Sequence, residues 1–263
     1  MSSPGAIGII PARYASTRFP GKPLAMISGK TMIQRVYEQA SKAQSLGFVA
    51  VATDDRRIFD HVTSFGGKAL MTSPLHRSGT DRCQEAVKIL RESGTTEPGS
   101  GIVINIQGDE PFLDPGQIDR VTALFDRPEV NIATLACGIH HSEDLENPNI
   151  VKVVFDKNHK VLLFSRSVIP YQRNVVAGNW LDRHPYYKHI GLYGFRLAAL
   201  QQITALEASP LEMAESLEQL RWLENGRDIY IDITDTESVA IDTPEDLSKL
   251  SNTHGPVEHP CVI

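Results

Sequence analysis

The 263 residues, with 41% hydrophobic and 22% charged side chains, have the composition of a soluble globular protein, long enough for one large α/β domain or a domain with a sizeable insertion. Against 32 acidic residues stand 26 basic ones, a net charge of −6, which gives no support to nucleic-acid binding and requires any anion site to be a local cluster. Cys83, Cys137 and Cys261 contain no C-x-x-C pair, which disfavours a disulfide framework and a zinc ribbon and fits a reducing cytoplasm; the first apolar run is five residues long and followed by Arg13, too short for a signal-peptide core or a membrane span.

The apolar run Ala6 to Ile10 is short and isoleucine-rich, as in a buried strand. Beyond Pro11, the loop Ala12-Arg13-Tyr-Ala-Ser-Thr-Arg18-Phe-Pro-Gly21-Lys22-Pro-Leu24 spreads three fixed cations around a glycine. Guanidinium groups grip phosphate oxygens in pairs, lysine adds a point charge, and glycine lets the backbone approach, so this loop can wrap a triphosphate. Three cations in a solvated loop that binds nothing is the competing reading. Neither G-x-x-x-x-G-K-[ST] nor G-x-G-x-x-G occurs here, so the common phosphate fingerprints do not apply.

A helix from Thr31 puts Met32, Ile33, Val36, Tyr37 and Ala40 on one face, with Gly47 as its expected stop. Phe48 to Ala52 reads as a strand, followed by a helix with Ile58, Val62 and Phe65 inward, a short strand at Lys68 to Met71, and Ser78-Gly-Thr-Asp-Arg82 leading into a helix bearing Ala86, Val87, Ile89 and Leu90. This alternation implies a parallel sheet. Gly94 to Gly101 reads as a surface loop. Ile102 to Ile106 is apolar enough for the sheet centre and feeds into Gln107-Gly-Asp109-Glu110-Pro.

A helix opens at Asp114 and a strand follows at Ile132 to Cys137; then Val151 to Phe155 and Val161 to Phe164 read as a hairpin turning at Lys157-Asn158, and Gly191 to Arg196 as a further strand. Residues 139–195 are therefore expected to be a more antiparallel insertion, supplying substrate contacts and a dimer surface, between the two parts (1–138 and 196–250) of a nucleotide-binding α/β domain; 251–263 is a tail. Ser209-Pro-Leu-Glu212 opens a helix with Met213, Leu217 and Leu220 as its buried stripe and Gly226 as its stop. Strands at Ile229 to Ile233 and Val239 to Ile241 precede a last helix at Thr243-Pro-Glu-Asp246.

Ligands of an open parallel sheet gather beyond the carboxyl ends of its strands. Asp109 and Asp242 each follow an apolar strand, so both can face one crevice, and two carboxylates beside a triphosphate suit Mg²⁺. A turn residue at Asp109 and a helix cap at Asp242 remain alternatives, and Glu110 is either a supporting partner or an exposed acid.

Ile-Pro-Ala-Arg-Tyr-Ala-Ser-Thr-Arg-Phe-Pro-Gly-Lys-Pro-Leu resembles the first motif of the sugar nucleotidyltransferases, in particular the 3-deoxy-manno-octulosonate (Kdo) cytidylyltransferases; Ser-Gly-Thr-Asp-Arg, Asn-Ile-Gln-Gly-Asp-Glu-Pro and Ile-Asp-Thr-Pro-Glu-Asp-Leu resemble three more, in the family's order. The resemblance implies a mostly parallel Rossmann-like sheet flanked by helices, of the glycosyltransferase-A-like nucleotidyltransferase kind, with a smaller antiparallel insertion. It implies a cytoplasmic, homodimeric, Mg²⁺-dependent transferase that joins CTP to Kdo for lipopolysaccharide synthesis, with a related acidic sugar (8-amino-Kdo or sialic acid) or a non-catalytic nucleotide-binding homologue as alternatives. By that likeness Pro11, Ala12, Arg13, Arg18, Lys22, Ser78, Arg82 and Gln107 hold the nucleotide, Arg13, Lys22, Asp109 and Asp242 are catalytic, and the two aspartates carry the metal. Arg166, His189, Tyr193, Glu218 and Gln219 correspond to sugar-site positions. Plain structural roles compete for several: a loop hydroxyl at Ser78, a helix-surface arginine at Arg82, a strand histidine at His189, and a Glu218–Arg221 surface pair.

Overall fold

The computed structural model describes residues 5–15, 19–95, 101–237, 240–241 and 243–247. The first apolar run forms β1 (Ala6–Ala12), and beyond a single 3₁₀ turn at Lys22–Leu24 a small antiparallel pair, β2 (Met26–Ile27) and β3 (Lys30–Thr31), leads into α1 (Met32–Ala40), capped by the Thr31 hydroxyl. The helix ends well before the expected stop, because β4 (Leu46–Thr53) has already begun; Gly47 lies inside that strand, against the Gly5 backbone. α2 (Arg56–Ser64) and β5 (Ala69–Met71) follow. Ser78 is the cap of α3 (Gly79–Glu92): its hydroxyl accepts from the Asp81 N–H at 3.1 Å while Asp81 accepts from the Ser78 N–H at 3.2 Å. That reciprocal pairing satisfies two donors the helix leaves open.

β6 (Ile102–Asn105), α4 (Pro115–Ala123) and β7 (Ile132–Ile139) continue the alternation. α5 (Ser142–Glu146) then precedes the hairpin of β8 (Lys152–Phe155) and β9 (Val161–Ser165), which is antiparallel as expected. After α6 (Trp180–Arg183), β10 (Tyr186–Arg196) starts five residues earlier than the apolar pattern indicated, so the boundary drawn at 195/196 falls inside a strand. α7 (Leu197–Thr204) completes this part. The helix expected from Ser209 is two: α8 (Pro210–Glu215) and α9 (Glu218–Glu224), separated by Ser216 at φ 53°, ψ 49°. The break turns Met213 outward, 66% exposed, while Leu217 and Leu220 stay buried. Among the described residues β11 (Tyr230–Ile233) is the last strand; Ala240 and Ile241 are not in one, and Val239 is outside the described residues.

The main sheet runs β11-β7-β10-β6-β1-β4-β5, with the β8–β9 hairpin attached to β10 through β8. Neighbours are parallel except at β10, which is antiparallel to both β6 and β7. Residues 139–195 therefore continue the sheet rather than leave it. Alternate strand residues feed cores on both faces: Ile10 and Ile104 pack with Val36, Ile58 and Ile118 of α1, α2 and α4, while Ile9 and Val103 pack with Val87, Leu200 and Trp222 of α3, α7 and α9. Helices on both sides of a buried sheet account for the unbroken apolar runs of β1, β4 and β6. Among the described residues no helix is long and apolar enough to cross a membrane.

Candidate active site

The carboxyl ends of β1, β4 and β6 point to one edge, and two further chain segments close there on Pro11. A Cβ at Gly108 would lie 2.9 Å from the Pro11 carbonyl oxygen, so only glycine lets the loop after β6 come this close. Gly79, at the start of α3, faces the ring of the same proline. The amino end of a 14-residue helix, with its partial positive charge, is thus directed at the loop carrying the cations. That loop closes on itself through the Gly21 N–H, which donates to the Tyr14 carbonyl at 2.9 Å, and Gly21 supplies the φ of 73° the turn requires.

Lys22 Nζ and Asp109 Oδ2 are 2.7 Å apart and both largely shielded. The first motif and the β6 loop are therefore in direct contact. The Ile241 N–H donates to the Asp109 carbonyl at 3.0 Å, which brings the fourth motif to the same loop. Asp242 and Arg18 lie outside the described residues. The cap of the final helical turn is Thr243, whose hydroxyl accepts from the Asp246 N–H at 3.2 Å while Asp246 accepts from the Thr243 N–H at 3.0 Å. Helix capping thus has its residue without Asp242. Glu110 is buried rather than an exposed acid.

Arg13 is half-buried and donates through Nη2 to the His76 carbonyl at 2.6 Å. Gln107 donates its amide to the Gly191 carbonyl at 2.9 Å. A carbonyl only accepts, so this bond sets the amide's orientation, using one of its two N–H donors and leaving the amide oxygen as the acceptor for a ligand.

On the far side of Gly191 the sugar candidates His189 and Tyr193 stand with ring centres 5.1 Å apart, and the His189 ring also meets Phe164 at 5.0 Å. Desolvation among these rings lowers the His189 pKa to about 3, so the imidazole is neutral near pH 7 and pairs with the Thr134 hydroxyl at 3.0 Å. Glu218 accepts from the Thr80 hydroxyl at 2.9 Å and from Ser78. Burial raises its pKa, against the opposing pull of those hydroxyls and of Arg221, 3.5 Å away. The Tyr193 hydroxyl is buried with no hydrogen-bond partner among the described residues; burial first, and the nearby Glu218 charge second, raise its pKa. Ser78, Glu218 and Tyr193, read separately as nucleotide and sugar residues, are thus one cluster. Thr80 belongs to it and was not singled out in the sequence, although it stands inside the Ser-Gly-Thr-Asp-Arg motif. Gln219 is buried on α9.

Two arginines have their guanidinium groups engaged within the chain. Arg82 is fully buried, donating to Thr72 Oγ1 at 2.5 Å and Asp54 Oδ2 at 3.1 Å, so its guanidinium ties α3 to the chain after β4 and β5. This is not a helix-surface position: the guanidinium is buried, with its charge met by Asp54. Arg166 donates to the backbone carbonyls of Pro148, Glu215 and Ser216, which fixes the break between α8 and α9. Both engagements depend on partners distant in the chain, and no local pattern signals them.

Among the described residues no three His, Cys, Asp or Glu side chains gather into a metal cage. Mg²⁺ takes one or two carboxylates together with substrate phosphates and water, and a partly shielded Asp109 in contact with the cationic loop fits that requirement.

A family model described as cytidylyltransferase matches residues 7–229. A 3-deoxy-manno-octulosonate cytidylyltransferase of Bacteroides thetaiotaomicron is 56% identical over 246 residues, covering 92% of this chain and 94% of its own. An 8-amino-3,8-dideoxy-manno-octulosonate cytidylyltransferase of Shewanella is 47% identical over 243 residues, covering 92% and 95%. Among solved structures, a CMP:2-keto-3-deoxy-manno-octonic acid synthetase complexed with CTP superposes with a TM-score of 0.83 at 40% identity, covering 94% of this chain and 97% of that one.

Proposed function

Because the chain belongs to the cytidylyltransferase family, we propose that it transfers CMP from CTP to Kdo, releasing pyrophosphate. The observation that carries the site assignment is the 2.7 Å contact between Lys22 and Asp109, which joins the cationic loop to the loop of the central strand. The anomeric hydroxyl of the sugar attacks the α-phosphorus in line. A bond forms between that oxygen and phosphorus, the bond to the β-phosphate oxygen breaks, and the hydroxyl proton leaves to solvent. Arg13 and Lys22 offset the charge growing on the departing pyrophosphate, and positioning with electrostatics suffices without a covalent enzyme intermediate. The thiol of Cys83 is fully buried, and burial pushes its pKa up, which fits the absence of a cysteine step.

Mg²⁺ held by Asp109 and Asp242 would supply positive charge to the phosphate oxygens and to the developing alkoxide. Gln107, together with Pro11 and Ala12 of the first motif, meets cytosine: the Gln107 amide oxygen, left open by the bond to Gly191, accepts from the 4-amino group, where uracil would present a second acceptor. Ser78 and Thr80 reach the ribose side of the cluster, and Glu218, His189 and Tyr193 its sugar side. A neutral His189 serves as a hydrogen-bonding partner for a hydroxyl rather than as a cation for the carboxylate.

The same reading includes a homodimer and a place in the cytoplasm, feeding lipopolysaccharide synthesis. Tyr171 and Val176, 74% and 77% exposed in the segment between β9 and β10, support an interface there. The 47% identity to an 8-amino sugar enzyme keeps that substrate as the second reading, and a panel of acidic sugars separates the two.

The test is pyrophosphate release with CTP, Kdo and Mg²⁺. Asp109→Ala is expected to lower turnover by at least about 10³-fold while leaving the far-ultraviolet circular dichroism unchanged. Background release from folded wild-type protein overturns the function, and retained turnover in Asp109→Ala overturns the site.

A further inference from the structure

We propose that His76 and Glu85 are positioning residues for this transfer: together they fix the backbone carbonyl of His76, which aims the Arg13 guanidinium at the phosphates. The proposal rests on the reading of Arg13 as a phosphate contact. It adds two residues that none of the four motifs contains.

Arg13 ends on a flexible side chain, and an arginine that must first be ordered loses rotamer freedom on binding. Here Nη2 is already anchored, 2.6 Å from the His76 carbonyl, so the plane of the fork is set before a ligand arrives. That carbonyl belongs to the stretch between β5 and α3, which has no sheet partner of its own and needs another restraint. Glu85, on the second turn of α3, supplies it. Its Oε2 accepts from the Ser73 N–H at 2.7 Å and pairs with His76 Nε2, so one carboxylate holds the segment at both ends. α3 is itself fixed by Arg82 on Asp54 and Thr72. A continuous path therefore runs from the sheet, through the helix and Glu85, to the group that orients Arg13. Among the described residues no hydrogen bond or ion pair joins His76 or Glu85 to Asp109, Gln107 or Glu218; their link to the reactants is the His76 carbonyl on Arg13.

A misplacement of about 1 Å at a reacting group costs on the order of 100-fold, so losing this anchor is expected to lower kcat/KM for CTP about 10-fold to 100-fold. The experiment measures His76→Ala, Glu85→Ala and Glu85→Gln, each alone and combined with Arg13→Ala, with unfolding midpoints recorded for every variant. If the two residues act through Arg13, His76→Ala lowers kcat/KM in the wild-type background and by less than about twofold in the Arg13→Ala background. A loss of equal size in both backgrounds assigns His76 and Glu85 to general stability and overturns the proposal, as does an effect below about twofold in the wild-type background. Should His76→Ala not fold, Glu85→Gln, which keeps the shape and part of the hydrogen bonding, decides in its place. If Arg13→Ala alone leaves kcat/KM unchanged, both the positioning role and the Arg13 contact fall, while transfer of CMP to the sugar stands on its own assay.

Discussion

Arg82 is the residue for which a ligand role and a scaffold role predict opposite experiments. Its guanidinium is inaccessible to solvent, its Nε has no partner among the described residues, and its charge is met by Asp54 at 3.1 Å. Breaking a buried ion pair from one side costs about 3–5 kcal/mol, because the remaining charge is stranded. Asp54 is itself 19% exposed, so water can partly replace it, and the lower end of about 3 kcal/mol is expected for Asp54→Ala. For a chain of this size that corresponds to a fall in unfolding midpoint of about 6–12 °C. Removing both charges strands neither: Asp54→Ala with Arg82→Met is expected to recover about 1–3 kcal/mol of the loss and to keep KM for CTP within a few-fold of wild type. Thermal unfolding followed by circular dichroism, with CTP kinetics on the same samples, makes the comparison. A double variant that is stable yet has lost CTP binding would return Arg82 to the nucleotide site, and a single variant that loses less than about 1 kcal/mol would refute the buried-charge argument.

Glu218 holds its proton more tightly in the folded protein than in the unfolded chain, so its stability contribution is complete below the ordinary value of 4.5 and is lost as pH rises through the raised folded value. Glu218→Gln, which cannot ionise, is therefore expected to gain stability relative to wild type across that window; midpoints that run parallel from about pH 4 to about pH 8 contradict the raised pKa. Gln107→Ala removes the acceptor offered to the cytosine amino group, and the preference for CTP over UTP is expected to fall by at least about 10-fold. An unchanged preference in competition assays removes Gln107 from base recognition.

The parts legible in the sequence are those whose cause is local. The strands at Ala6 and Ile102 announce themselves because both of their faces are buried, whereas Ser78, read as a nucleotide contact or a loop hydroxyl, is the cap of α3. β10 was half missed because Tyr-Tyr-Lys-His carries polar groups that only the fold accounts for: Lys188 reaches Glu237, and His189 lies between aromatic rings. Helices α8 and α9 read as one because Ser216 adopts a left-handed conformation that serine rarely takes, held by Arg166 on its carbonyl. Arg82 and Arg166 have partners in the fold, Thr72 and Asp54 for one and three backbone carbonyls for the other, and the sequence does not record which carboxylate or carbonyl will face a guanidinium. The expectation that Asp109 and Asp242 share a crevice falls on a residue outside those described, whereas the contact of Lys22 with Asp109, 87 positions apart, is one that no local pattern announces.

That contact also bears on how charge is arranged before a substrate arrives. With a net charge of −6 the chain repels a triphosphate on average, so attraction must come from the local cations. Lys22 is turned towards Asp109, and its ammonium can face the phosphates fully only when Asp109 has another positive partner or none. Asp109→Ala therefore separates binding from chemistry. Without divalent ions, CTP binding to this variant by calorimetry is expected to tighten by a few-fold, since a competing anion is gone, even as turnover collapses. A variant that binds CTP more weakly under those conditions would mean that Asp109 supports the bound nucleotide directly, and the division of labour between Lys22 and Asp109 would have to be redrawn.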